Sequence, residues 1–537
     1  MSVVGRTARH GGQAFALALL LAPLPATAAG DGVAAKLDNE LRLSTLYRLQ
    51  SPRSGVGFAA PGYPPFGTAG EHDGFVSWRL DWRPGAQLDW QGDTVSLGVR
   101  ASADLWRDLS HGTADPTRSF LYVYRAPGEY SEVVTGLAPT RDRMAELREG
   151  FLYGAADIGD GGRASFRVGR HTLLWGESLF FTANGIAAGQ APQDAAAADP
   201  GSTYRARDQY LPVGQASFSL QTADGLALQG YYQFEYRATR LGNYGAYAET
   251  VGALGYRAGD LLNGLSPGAS TLFLVPGATN KPGNGGQFGA ALKAQAGDLR
   301  YGLYALRYTA KTPLFALSPA SPFGGIAPYA LVWPKAIGLY GASLSGFVGE
   351  ASYGAEISVR HRMPLLSAAL VVPLGEDAEA AVPRADTWHA QASWEWKLPP
   401  ALFLRGGATW HGEIAATGRL GAASNPGQAM PGRTRAAVAV RSVLEPHFFQ
   451  VLPRLDLSLP LGIGYGLAGR SPVDATMARR TGDVSVGIAA RFGQNFEALL
   501  NLTHYLGRGA LTGYGMSGTS RPAGNGDYAS FSIRLVF

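Results

Sequence analysis

Few residues of this chain have the types and spacings that chemistry needs. Gly264-Leu265-Ser266-Pro267-Gly268 has the outline of a serine nucleophile elbow. That device needs a strand before it, a helix after it and a backbone N–H just past the serine. Neither element is expected there, and Pro267 removes the N–H. Gly464-Tyr465-Gly466-Leu467-Ala468-Gly469 matches a dinucleotide fingerprint by spacing, but it sits at a strand end with no helix and no acidic ribose partner behind it. His389, His411, His447 and His504 are scattered, none at helical metal-ligand spacing. The chain has no cysteine, which excludes thiolate metal sites, disulfides and cysteine nucleophiles. His411-Gly412-Glu413 is the only local acid–base candidate. The expectation is therefore no catalytic residue, no metal and no cofactor.

What the polar residues do share is a period of two. Arg42, Arg48, Arg100, Arg167, Arg237, Arg360, Arg405, Arg441, Arg491 and Arg534, with Glu40, Asp104, Glu235, Glu356, Glu395 and Glu497, fall on one face of alternating runs whose other face is apolar. Alternation of this kind makes strands with one greasy and one wet side. The runs lie near 38–50, 78–90, 94–106, 148–157, 164–175, 214–222, 226–237, 288–296, 299–309, 337–348, 351–361, 387–398, 401–411, 434–444, 454–466, 482–492, 495–506 and 528–537, eighteen in all. Tight turns such as Ala223-Asp224-Gly225 and Gly297-Asp298 alternate with long loops, and Asp-Gly between alternating runs is a strong hairpin signal. Phe120–Arg125 also alternates but is placed in a loop, and Arg83-Pro84 interrupts the second run.

The pattern predicts an all-β, antiparallel transmembrane barrel of about 18 strands with short periplasmic turns and long extracellular loops. The last run, ending on Phe537, must pair with the first. A terminal aromatic on such a strand resembles the signal read by the barrel assembly machinery. Residues 1–28 carry Arg6 and Arg9, an apolar run and Ala26-Thr27-Ala28, which reads as a cleaved signal peptide ahead of a barrel over 29–537. Charged residues make up only 16% of the chain, low for a soluble protein of this size. All but six of the 46 basic residues are arginine, and the near balance with 41 acids implies no nucleic-acid partner.

Trp78, Trp90, Trp106, Trp175, Trp388, Trp396 and Trp410 sit at strand ends and are expected in the interfacial girdles. The mixed-sign lumen face fits two accounts, an aqueous lining or a lattice of Arg–carboxylate pairs that stiffens a filled barrel. Lys311–Lys335 holds many apolar residues and no internal charge, and 51–75 and 261–276 are similar. Such loops either pack on one another as a cap or fold inward as an apolar entrance.

Gly169-Arg170-His171-Thr172-Leu173-Leu174-Trp175-Gly176-Glu177-Ser178, followed by Asn184-Gly185-Ile186, Tyr210-Leu211-Pro212-Val213 and Tyr231–Tyr236, resembles a proteobacterial outer-membrane family catalogued as domain of unknown function thirteen-zero-two. Ala191–Ser202 is alanine-rich where relatives usually carry an Asn-Pro-Val-Asp-like stretch. The resemblance implies an outer-membrane barrel that handles hydrophobic or aromatic compounds, with no proven catalytic residue. Arg170 and Glu177 are expected to pair and pin the loop, with Trp175 at the outer interface and Gly169, Gly176 and Ser178 completing the motif. A purely structural corner is the alternative.

The function expected is a channel or transporter in the bacterial outer membrane for a small hydrophobic or aromatic solute. Its other partners would be outer-membrane lipid, lipopolysaccharide and the assembly machinery. One alternative is a conduit for a periplasmic export or lipid-transfer system, docking on turns such as Leu444–Arg454; the other is an outer-membrane hydrolase.

Overall fold

The computed structural model describes residues 32–49, 74–108, 121–126, 129–133, 143–194, 209–240, 273–276, 281–318, 326–367, 370–401, 404–507 and 527–537. The expected signal peptide, the Gly264–Gly268 motif and most of the 51–75 and 261–276 loops lie outside these. The barrel strands are β1 (Val33–Arg48), β2 (Gly74–Gln91), β3 (Val95–Asp108), β4 (Arg143–Ile158), β5 (Gly162–His171), β6 (Val213–Gln221), β7 (Leu226–Gln233), β8 (Gln287–Ala296) and β9 (Leu299–Tyr308). They continue with β10 (Ile337–Val348), β11 (Ala351–Pro364), β12 (Arg384–Leu398), β13 (Ala408–Ser424) and β14 (Ala436–Leu452). The last four are β15 (Leu455–Ser458 and Leu461–Gly469), β16 (Gly482–Phe492), β17 (Phe496–Leu506) and β18 (Tyr528–Val536). Leu459-Pro460 breaks β15 into two pieces that both pair with β14 and β16.

Each strand pairs antiparallel with its neighbour in sequence, and β1 pairs with β18 from Glu40↔Val536 to Arg48↔Tyr528, closing an 18-stranded barrel. Phe537 exchanges backbone hydrogen bonds with Asn39 at 2.8 and 3.0 Å. Closure leaves no sheet edge, which an apolar bilayer requires because it cannot solvate unpaired N–H and C=O groups. Leu88, Val99, Leu152, Phe218, Leu303, Ile357, Val486 and Leu500 face outward and are exposed, as a lipid-facing belt would be. This is an outer-membrane β-barrel.

Several boundaries differ from the sequence reading. β13 starts at Ala408 rather than 401 and runs to Ser424, and β14 runs to Leu452, so Leu444–Arg454 is mostly strand rather than turn. Pro84 stays inside β2, and the β2–β3 ladder breaks beside it between Trp82↔Leu105 and Gly85↔Ser102. Leu121–Ala126 pairs with Glu129–Val133 in a separate loop hairpin. Trp394, Trp396 and Trp410 cluster on the outer face, with centroids 5.4 and 6.2 Å apart. Trp106, by contrast, follows the inward parity of Arg100 and Asp104, and the guanidinium of Arg79 lies 4.4 Å from its ring centroid.

The uncharged loop packs on neighbouring loops. Leu314–Leu317, Ile326–Val332, Phe273–Pro276 and Leu370–Val371 form a four-stranded sheet outside the barrel wall. Ala316 and Val332 of this loop make a buried core with Leu370, Val372 and Val382, so in the described residues these loops pack on one another.

Candidate functional site

After His171 the chain turns into the lumen and stays there to Asp194. Two glycines permit the turn. Gly169 has φ +127° and a Cβ there would lie 2.3 Å from the Gly150 carbonyl. Gly176 has φ +93° and a Cβ would lie 2.1 Å from Glu356 Oε2. His171 is buried, with Nε2 2.9 Å from Ser217 Oγ and Nδ1 3.1 Å from the Gly169 carbonyl.

Inside, the loop's own backbone polar groups have left any ladder and must find partners. Wall side chains supply them. Glu356 on β11 accepts N–H bonds from Glu177 at 2.7 Å and Ile186 at 2.9 Å, plus the Gln391 amide at 2.9 Å. Glu413 on β13 accepts from the N–H groups of Leu179 (3.3 Å), Phe180 and Phe181 (2.8 Å). Arg360 on β11 donates to the carbonyls of Ala183 (3.0 Å), Asn184 (2.6 Å) and Gly185 (2.9 Å). Asn184 Oδ1 lies 2.8 Å from His389 Nδ1, its amide donates to Gln391 Oε1 at 3.1 Å, and Ser393 Oγ donates to the Glu177 carbonyl at 2.9 Å. Wall anions hold the loop's N–H groups and a wall cation holds its carbonyls.

The wall behind the loop is greasy. Tyr231, Ala291, Tyr304, Leu306, Tyr308, Ile337 and Leu339 take inward positions on β7–β10 and are buried under Trp175 and Ile186. Trp175 is 2% exposed, its ring 5.2 Å from that of Tyr231 and 5.8 Å from that of Tyr304. The outer-interface position expected for it is wrong, because the chain turns inward before reaching it. The uniformly polar lumen expected for the barrel is wrong on these four strands for the same reason.

Across the lumen the charges are paired. Arg83 and Arg148 share Asp104 at 2.8 and 2.7 Å, Arg100 meets Asp38 at 2.9 Å and Glu149 at 3.1 Å, and Arg534 meets Glu40 at 3.0 Å. Arg441 makes a bidentate pair with Asp483 at 3.1 Å and lies 5.9 Å from the ring centroid of Phe180.

The remaining sequence candidates fall elsewhere. Arg170 does not pair with Glu177; it is on the outward parity of β5, donating to Glu235 at 3.1 Å and to the Leu147 carbonyl at 2.8 Å. Glu235 also accepts the Gly214 N–H at 2.7 Å, so this pair ties strand ends at the rim. Arg237 lies beyond β7 and donates to the Pro212 carbonyl and Glu146. Arg167 faces the lumen, 5.9 Å from the Phe151 ring centroid. Arg405 is exposed in the 399–407 turn, not in the lumen. Ser178 is half-buried, with its Oγ shielded from solvent in the stretch that bonds Glu413. The main residue missed is Glu413, which an uninterrupted alternation through Glu413, Ala415 and Thr417 would have placed on the inward face. Among the described residues no metal-ligating group of side chains occurs.

Gly176→Ala tests the geometry with one methyl. A positive φ costs a non-glycine residue on the order of 1–3 kcal/mol, and the Glu356 carboxylate must also move. The expected result is a barrel that still migrates as folded on unheated gels while limited proteolysis cuts between Trp175 and Asn184; a protected loop would contradict the assignment.

A family model described as "Protein of unknown function (DUF1302)" matches residues 10–537. No curated protein matches the chain. Among solved structures it is similar to Pseudomonas aeruginosa OpdK with vanillate, at 12% identity over 94% of this chain and 98% of that one, TM-score 0.43. Acinetobacter baumannii OccAB3 matches at 11% identity over 94% and 99%, TM-score 0.43, and Pseudomonas aeruginosa OccK9 (OpdG) at 12% over 94% and 97%, TM-score 0.42.

Proposed function

Given that the chain belongs to the family described as Protein of unknown function (DUF1302), we propose that it is a substrate-selective outer-membrane channel for small hydrophobic or aromatic solutes. The observation that carries this reading is the loop held in the lumen by Glu356, Glu413 and Arg360. A loop fixed at eight backbone groups narrows the lumen permanently and so favours selection over bulk flow. It also lays Phe180 beside Arg441, whose charge is already neutralised by Asp483. An aromatic ring next to a paired guanidinium suits an aromatic or apolar solute better than an ion. The charge-paired opposite wall supports the same view, since its arginines are not free to attract anions.

The test is uptake into liposomes holding the purified, folded protein, comparing a small aromatic such as benzyl alcohol with a sugar of similar size, each corrected for protein-free liposomes, alongside single-channel conductance. A small steady conductance and severalfold faster protein-dependent entry of the aromatic are expected. Equal protein-dependent rates would overturn the solute class. No conductance and no protein-dependent entry of either solute would overturn the channel.

A further inference from the structure

At the extracellular ends of β6, β7 and β8 stands a row of three glutamines on one inward face, Gln215, Gln233 and Gln287, each the register partner of the next. Gln190 of the inward loop covers them, and Lys311, just past β9, lies on top. None of these five residues is more than 2% exposed. Lys311 Nζ donates to Gln287 Oε1 at 2.7 Å and Gln233 Oε1 at 3.1 Å.

The amide orientations are fixed by their partners. Gln287 Oε1 also accepts the Thr309 N–H at 3.1 Å, and Gln190 Oε1 accepts the Trp175 N–H at 2.6 Å. Flipping either amide would set an NH₂ group against another donor. Yet Gln190 Nε2 and Gln287 Nε2 are both buried with no acceptor, as are Trp175 Nε1 and the Tyr231 hydroxyl in the adjoining cluster. Gln233 Nε2 is satisfied by the Gln190 carbonyl at 2.6 Å. An ammonium with two acceptors retains a third N–H. Among the described residues no carboxylate comes within ion-pair range of Lys311; the titratable group facing it is Tyr236, its ring centroid 5.6 Å away and its hydroxyl committed to the Ala310 carbonyl. The place has a surplus of donors and one buried amine without a counter-charge.

We propose that a halide-sized monoanion binds here, between the inward loop and the β7–β9 wall, held by Lys311 Nζ, Gln190 Nε2 and Gln287 Nε2. One acceptor carrying one negative charge answers both orphaned amides and gives the amine its counter-charge. The near-complete burial of the surrounding side chains leaves no access for an organic acid. Burial lowers the Lys311 amine from 10.5 to about 7, and a bound anion would restore its charge. The site ties the loop to the wall and does not depend on which solute the channel carries.

Two measurements decide it. Crystals grown in bromide should show an anomalous peak within hydrogen-bonding distance of Lys311 Nζ. Thermal unfolding in detergent below pH 7 should rise in bromide or chloride relative to gluconate at equal ionic strength. That rise should vanish in Lys311→Met and in Gln287→Glu, which supplies the negative charge from the chain and keeps the fold. In gluconate, the unfolded amine holds a proton that the folded one lacks between about 7 and 10.5, so stability should climb with pH across that window; halide should flatten the climb. No bromide at Lys311, or equal unfolding in halide and gluconate, would overturn the site.

Discussion

Glu413→Ala should open the pore. Three consecutive N–H groups, of Leu179, Phe180 and Phe181, lose their acceptor at once. A buried donor left unsatisfied costs about 1–3 kcal/mol, so the bound state of the loop weakens by several kcal/mol, less whatever water restores. The barrel does not share that loss, because its stability lies in the closed ladder from β1 to β18. Phe181 then has only its packing against Ala415, Ala437, Ala439 and Met477 to keep it down. The expected readouts are a severalfold rise in single-channel conductance, new protease cuts between Glu177 and Ala183, and faster sugar entry that erodes the preference for aromatics. Glu413→Gln should fall between the two, since one oxygen still accepts while its NH₂ opposes the loop donors. An unchanged conductance in a Glu413→Ala protein whose loop is demonstrably cleaved would mean that another element closes the lumen.

The same residue shows where the sequence was legible and where it was not. Strand alternation located all eighteen strands because each barrel strand has one face in lipid, and lipid tolerates no charge there. Ends were harder. His411-Gly412-Glu413 stood out as a possible acid–base group, yet ending the strand at 411 put Glu413 in a loop, whereas β13 carries it inward to meet residues more than two hundred positions earlier. Glu356 and Arg360 fell on the correct face by parity alone. Trp175 was misread because a tryptophan at a strand end suits a girdle, and only the backbone turn after His171 decides between lipid and lumen. Tyr231, Tyr304 and Leu339 escaped for a related reason. With apolar residues on both faces of β7–β10, the period of two loses contrast, and the sequence cannot show that a distant loop covers the inner one.

Arg360→Met is the complementary experiment, since it removes the cation and leaves both anions. Arg360 is 1% exposed, and its fork spans the carbonyls of three successive residues, Ala183 to Gly185. Methionine fills much of the volume but donates nothing to those oxygens and leaves Glu356 without a nearby positive charge. A hydrogen bond to a charged group contributes about 1.5–3 kcal/mol, and three are lost together, a loss larger than Gly176→Ala should produce. Lysine should rescue little, because one ammonium cannot reproduce the planar fork that reaches all three carbonyls. The discriminating readout is hydrogen exchange at named amides. In Arg360→Met the Ile186 N–H, bonded to Glu356 beside the lost carbonyl contacts, should exchange orders of magnitude faster, while Phe181 on Glu413 stays slower. In Glu413→Ala the order reverses. If both variants instead expose the whole loop equally, the loop leaves the wall as one cooperative unit, and conductance should then rise to the same value in each.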